Sequence, residues 1–273
     1  MSNNAGTRAH AAMNILVIGH GAIGRALIRQ LESEHPGDFK WAVWTRSGVA
    51  QTPNAPKIVP ITTLEQALAF APALVVECAG HSAVEHIVPD LLATGIAVVV
   101  SSVGVLADTA MVEKLNRARL QGKTRVILPA GAIGGLDYLN AVAHCRDLTV
   151  TYTSRKPPAA WVPELAALGL SPADIVTTYT LFEGPAQEAA RLYPKNLNVA
   201  ATLALHGAGM QRTTVRVVVD PTVAVNTHEI QISSEAGRAT FTFENMPSVE
   251  NPKTSMLTAL SVAAEVIRFK THA

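Results

Sequence analysis

The string Gly19-His20-Gly21-Ala22-Ile23-Gly24 spaces three glycines so that each does a different job. The first permits a tight turn, the second lets a phosphate approach the backbone, and the third lets a helix pack closely on a strand. Together they aim a helix N-terminus at a dinucleotide pyrophosphate. The pattern is common, so its context carries the weight: a strand must precede it and a helix must follow. About 20 residues further on, where such loops usually hold an acidic residue for the adenosine ribose, the chain has Trp44-Thr45-Arg46. No carboxylate stands there to repel a 2′-phosphate, and Arg46 is able to pair with one, so the loop suits NAD or NADP.

Other groups capable of chemistry are scattered. Glu77-Cys78-Ala79-Gly80-His81 ends one apolar run and Ser102-Val103-Gly104 follows another; such strand ends border the ligand in open α/β sheets. Glu77 and His81 are placed either for acid–base work or for bracing the loop. Cys78 reads as a small buried hydrophobe, since no base is fixed beside it. His20 reads as a spacer in the glycine loop. In Asn226-Thr227-His228-Glu229-Ile230, strand alternation puts His228 on one face with Asn226, Ile230 and Ile232, the setting of an ordinary core histidine. Spacing alone chooses none of the nine histidines. No serine lies in a nucleophile-elbow pattern, and Cys78 and Cys145 lack partner motifs, so neither a disulfide framework nor a metal site is expected.

These residues need elements to hold them. Residues 14–19 are an apolar, β-branched run ending in glycine, the mark of a strand buried on both faces. A helix is predicted over 22–34, where Ile23, Ala26, Leu27 and Leu31 recur at helical spacing before Pro36-Gly37. Strands over 41–44, 74–77, 97–101 and 125–128 alternate with helices over 63–70, 82–93 and 107–121, which predicts a Rossmann-type doubly wound parallel sheet in an α/β protein. After Asp137 the rhythm changes. Thr- and Val-rich strands over 150–154, 177–182, 213–219, 223–233 and 240–244, interrupted by helices over 185–193 and 196–206, predict a second α+β domain with a mainly antiparallel sheet. A last helix over 254–269 is expected to return to the first domain. The division that follows is a dinucleotide-binding domain, 1–135, completed by 252–273, and a substrate and dimerisation domain, 136–251.

Composition bounds the partners. With 273 residues, 48% hydrophobic and 16% charged, the chain has the apolar surface for a sizeable core. Its formal charge of +1 creates no field that would draw nucleic acid or an anionic bilayer, so a small molecule is the expected partner. The longest apolar stretches, 67–76 and 95–100, are too short to span a membrane. The polar opening lacks a secretory signal, and a cytoplasmic location is expected.

Several strings together resemble the L-aspartate dehydrogenase family. They are the glycine loop, Pro129-Ala-Gly-Ala132-Ile-Gly-Gly-Leu-Asp137, Ser154-Arg-Lys-Pro-Pro158, Glu183-Gly-Pro-Ala186, Tyr193-Pro-Lys-Asn-Leu-Asn198-Val-Ala-Ala201, Asp220-Pro221, the strand containing His228, and Asn251-Pro-Lys-Thr-Ser255. The most specific are Pro-Lys-Asn-Leu-Asn-Val-Ala-Ala and Asn-Thr-His-Glu-Ile. The resemblance implies that His228 is the catalytic histidine, that the backbone of Ala132 and the side chain of Asn198 contact the cofactor, and that the protein is a homodimer. It further implies reversible, NAD- or NADP-dependent oxidative deamination of L-aspartate through iminoaspartate to oxaloacetate and ammonia, serving pyridine nucleotide biosynthesis or aspartate catabolism. Hydride leaves the α-carbon only when the amino group is neutral, so an imidazole titrating at about 7 is expected, with oxidation accelerating as pH rises through that value. Two substrate carboxylates call for a cation; Lys195 is the first candidate, with Arg155 and Lys156 behind it. Two rival readings remain: a two-domain reductase of dihydrodipicolinate or homoserine type, and a non-catalytic dinucleotide-sensing protein.

Overall fold

The computed structural model describes residues 12–45, 56–193, 198–251 and 254–272. The first sheet is built from β1 (Met13–Ile18), β2 (Phe39–Trp44), β3 (Ile58–Ile61), β4 (Leu74–Glu77), β5 (Ala97–Val100) and β6 (Val126–Ile127). Its order is β3-β2-β1-β4-β5-β6, with every neighbouring pair parallel. This is the doubly wound arrangement, and its strand order reverses between β1 and β4, where a crevice opens beyond the strand ends. Ile15 and Val17 pack into one apolar cluster and Leu16 and Ile18 into another, so β1 is buried on both faces, as its unbroken apolar run requires.

The helices of this half are α1 (Ala22–Glu34), α2 (Leu64–Phe70), α3 (His81–His86), α4 (Val88–Ala93) and α5 (Thr109–Gln121). The stretch expected as one helix over 82–93 is two, because Pro89 in the first turn of α4 cannot continue the helix before it. Likewise 107–121 opens with a separate 3-10 turn, Val103–Ala107, and α5 starts only after Asp108, whose carboxylate accepts from Ala110 N–H at 2.9 Å. β3 was not expected from the sequence. It holds Pro60, which a strand tolerates at a sheet edge, and an edge is where β3 lies.

In the second half come α6 (Leu136–Val142), β7 (Thr149–Lys156), α7 (Val162–Ala167), β8 (Tyr179–Pro185), α8 (Ala186–Leu192), α9 (Asn198–His206), β9 (Thr213–Val219), β10 (Asn226–Ser234) and β11 (Gly237–Asn245). The second sheet runs β11-β10-β7-β9-β8; only its β7–β9 pair is parallel. Val150 and Tyr152 of β7, Val215, Val217 and Val219 of β9, and Ile230 and Ile232 of β10 form its inner face, packed on Trp161, Ala189, Ala200 and Leu203. The final helix, α10 (Met256–His272), places Val262, Ala263 and Val266 in the cluster that holds Ile15 and Leu27, so it lies on the first sheet beside α1. Ala201 of α9 also joins a first-sheet cluster, which seats the two halves on each other.

Candidate active site

The glycine loop lies at the strand-order reversal, between β1 and α1. Gly19 has φ +95°, and a Cβ there would stand 2.8 Å from Ala79 of the neighbouring loop. A Cβ on Gly24 would stand 2.4 Å from the Gly19 carbonyl oxygen, so the helix approaches the strand as closely as a bare backbone allows. At Gly21, by contrast, a Cβ meets nothing within 4 Å. Its bareness leaves open space over the N-terminus of α1, whose first turn holds no acidic residue. The three glycines thus fit a dinucleotide pyrophosphate from this structure's own geometry. Ala22 is the first residue of the helix after the Gly21 cap, and Ile23 reaches the cavity described below. The His20 carbonyl accepts from Arg25 Nη1 at 2.7 Å, and Arg25 and Arg29 both pair with Glu250, which ties α1 to the segment before α10. Arg46 lies outside the described residues.

Glu77 is a brace. It is fully buried, and its Oε1 accepts from Ala79 N–H at 2.8 Å, Gly80 N–H at 2.7 Å and the Ser102 hydroxyl at 2.9 Å, while Oε2 accepts from Ser102 N–H at 3.0 Å. One carboxylate therefore fixes both loops that follow β4 and β5. Burial pushes its pKa up, against the pull of those four donors. Cys78, beside it, is pushed up by burial and by the Glu77 charge, which leaves a thiol with no thiolate character.

A cavity of about 610 Å³ opens between the two halves, reached by Ile23, His81, Ala132, Asn198, His228 and Lys156. The loop from Pro129 to Ala132 forms one wall and is anchored twice. Gly131 N–H donates to Ser261 Oγ of α10 at 2.9 Å, and Asn245 Nδ2 of β11 donates to the Ala132 carbonyl at 2.7 Å. Asn198, at the start of α9, accepts on Oδ1 from Gly104 N–H at 2.9 Å; a Cβ on Gly104 would intrude to 2.9 Å from that oxygen. Residues at the N-termini of α1, α9 and α10 all reach this cavity, and no carboxylate lines it among the described residues. Converging helix N-termini and a lysine make it a place for anions.

His228 and Lys156 enter from the second sheet. In register, His228 of β10 stands opposite Ser154 of β7, and Thr227 opposite Arg155. Alternation then turns Tyr152, Ser154 and Lys156 to the inner face and Arg155 to the outer one. Arg155 is spent there on Glu229 at 2.8 Å and Asp220 at 3.3 Å, so it does not serve the cavity. Lys156 is buried, with its ammonium 5.3 Å from the centre of the Trp161 ring. The candidate named first from the sequence, Lys195, lies outside the described residues. His228 is 5% exposed, its Nδ1 is 2.7 Å from the Tyr152 hydroxyl, and the two rings are near-parallel. Burial, and secondarily the Lys156 charge, lowers its pKa to about 4. That corrects the expected value near neutrality: a desolvated imidazole beside a cation resists a second positive charge. Sequence reasoning missed Tyr152, Asn245 and Ser261. Strand alternation gives the face of Tyr152, but only the pairing of β7 with β10 shows what it touches.

Residues 19–129 match the family described as homoserine dehydrogenase, NAD binding domain, and residues 137–268 match that described as aspartate dehydrogenase, C-terminal. The chain is 45% identical over 255 residues to L-aspartate dehydrogenase 2 of Bordetella pertussis, covering 93% of this chain and 96% of that one. It is 39% identical over 263 residues to the L-aspartate dehydrogenase of Methanosarcina barkeri, covering 91% and 94%. Among solved structures, the aspartate dehydrogenase of Thermotoga maritima superposes with a TM-score of 0.74 at 28% identity, covering 94% of this chain and 97% of that one. A hyperthermophilic archaeal homoserine dehydrogenase in complex with NADPH shares the fold, with a TM-score of 0.56 at 12% identity and coverage of 96% and 98%.

Proposed function

The chain belongs to the L-aspartate dehydrogenase family, and on that premise we propose how its own residues carry the reaction. The enzyme is an NAD(P)-dependent oxidoreductase that oxidises L-aspartate. The observation that carries the residue assignments is that His228 and Lys156 reach, from one face of the second sheet, a cavity that also reaches the glycine loop and has no carboxylate among its described lining residues. The backbone about Gly19, Gly21, Ala22, Ile23 and Gly24 holds the pyrophosphate, and Ala132 and Asn198 hold the nicotinamide end. When bound, the nicotinamide supplies the acceptor for the hydride of the aspartate α-carbon, or the donor in reverse.

Lys156 takes a substrate carboxylate by a charge-assisted hydrogen bond. His228, held neutral by burial, receives the amino group's proton as the carbon–nitrogen double bond forms. A carboxylate placed on Lys156 offsets the cation that depresses the imidazole, so the base strengthens when substrate is present. Water then adds to the imine carbon, the imidazole carries its proton to the departing nitrogen, and ammonia and oxaloacetate result. The test is a panel of amino acids with NAD and with NADP, read at the reduced nicotinamide band alongside an ammonia assay. Aspartate-dependent reduction with one ammonia per turnover is expected; reduction without ammonia, or tight NADH binding with no turnover, would overturn it in favour of a rival reading.

The same reading assigns residues 1–135, completed by 252–273, to the cofactor and 136–251 to substrate and dimerisation. A homodimer is supported by the outer face of the second sheet, where Gln231, Thr240, Thr242 and Glu244 stand exposed side by side. Light scattering at micromolar concentration tests it, and a monomeric mass refutes it. We place the enzyme in the cytoplasm, where its pyridine nucleotide is supplied; no helix among the described residues is long and apolar enough to cross a membrane.

A further inference from the structure

The contact between His228 and Tyr152 has two possible directions, and they have opposite consequences. If the phenol donates to Nδ1, the neutral ring carries its hydrogen on Nε2, which then has no lone pair to offer a substrate. If Nδ1–H donates to the phenol oxygen, Nε2 is free to accept. Once the ring has taken a proton both nitrogens are donors, so Tyr152 must be the acceptor at that moment whichever way the neutral pair is arranged. The phenolic hydrogen then needs another acceptor, in a place closed to water, since Tyr152 is fully buried.

Among the described groups on this face, Ser154 fits that acceptor's place. It lies two residues along β7 from Tyr152, directly opposite His228 in the β7–β10 register, and is itself fully buried. Its Oγ has no hydrogen bond among the described residues, an unstable condition for a buried hydroxyl. Its hydroxyl also opposes the burial that pushes the Tyr152 phenol upward, which places the two oxygens near each other without fixing which one donates. We propose that Tyr152 is a positioning residue which accepts the Nδ1 hydrogen of His228 and hands its own hydroxyl hydrogen to Ser154, leaving Nε2 as the basic atom toward the cavity. This rests on the reading of His228 as the base. It adds that the base is oriented by a neutral hydroxyl pair in place of a carboxylate, so that no negative charge lies behind the imidazole.

The experiment combines a spectroscopic signature with a mutant cycle. Long-range ¹H–¹⁵N spectra of the whole protein near neutral pH, with the His228 signals assigned by their loss in His228→Ala, are expected to show hydrogen on Nδ1; hydrogen on Nε2 overturns the proposal. In Ser154→Ala the phenol loses its acceptor and turns to Nδ1, so the hydrogen is expected to move to Nε2; an unchanged tautomer overturns the role of Ser154. Tyr152→Phe and Ser154→Ala are each expected to lower kcat by about tenfold, part of the 10²–10⁴ that a positioned acid–base group supplies, with aspartate KM and NADH affinity within about twofold. Because both act through His228, neither is expected to lower the residual activity of His228→Ala, and the pair together to cost no more than Tyr152→Phe alone. Additive losses refute the relay. Full turnover by His228→Ala would instead refute the assignment of the base, an outcome separate from the tautomer measurement.

Discussion

The pKa of His228 makes a prediction about pH that separates this site from an ordinary histidine base. Its fall from 6.5 to about 4 means that at pH 6 the free enzyme holds about 99% of the imidazole neutral. The substrate's amino group, which titrates well above neutrality, is then the group whose deprotonation is scarce. With NAD saturating, log kcat/KM for aspartate is expected to rise with unit slope from pH 5 to 8, without a break. An imidazole titrating near 6.5 would add a second limb, of slope two, below that pH; finding one would refute the reasoning. The same shift has a stability arm. Above 6.5 the ring is neutral in folded and unfolded chains and contributes nothing. Between 6.5 and about 4 the unfolded chain binds a proton that the folded one refuses, so stability falls as pH falls. The complete loss is about 3 kcal/mol. Denaturant unfolding of wild type and His228→Gln at pH 7 and pH 4 measures it as the difference between the two proteins' acid losses. Equal losses would show that the ring is not held neutral by the fold.

Lys156→Met is expected to lower kcat/KM for aspartate by about 10–150-fold, the worth of a hydrogen bond to a charged group at about 1.5–3 kcal/mol, while NADH affinity by fluorescence titration stays within about twofold. An equal loss in both would place Lys156 in the cofactor site. Glu77→Gln puts an amide NH₂ against backbone donors at Ala79, Gly80 or Ser102. It is expected to cost about 1–3 kcal/mol in denaturant unfolding and to weaken NADH binding, because two loops lose their common brace. Gly21→Val enters open space and Gly24→Ala meets a carbonyl oxygen at 2.4 Å. The first is therefore expected to keep its thermal midpoint and lose cofactor affinity, and the second to lose both; a Gly21→Val enzyme with normal NADH affinity would move the pyrophosphate elsewhere.

What the sequence determined by itself is local. The buried run of β1, the glycines after it and the helical spacing of α1 all lie within residues 13–34, so period and turn chemistry specify them together, and the doubly wound sheet follows from repetition of that unit. Failures of the sequence reading were local too: Pro60 disguised an edge strand, and Pro89 divided a continuous apolar pattern. The site is another matter. Arg155 and Lys156 are adjacent in sequence and equally cationic, and only the pleat of β7 sends one to an outer ion pair and the other to the cavity. His228 and Tyr152 are 76 residues apart, and their contact exists only because β10 pairs with β7 in one register. Depression of the His228 pKa, and the conversion of Glu77 from a candidate acid into a loop brace, depend on burial and on partners that no spacing records. The resemblance carried through the strings around Asn198 and His228 names His228 as the proposed base; the tertiary structure alone decides its charge and its partners.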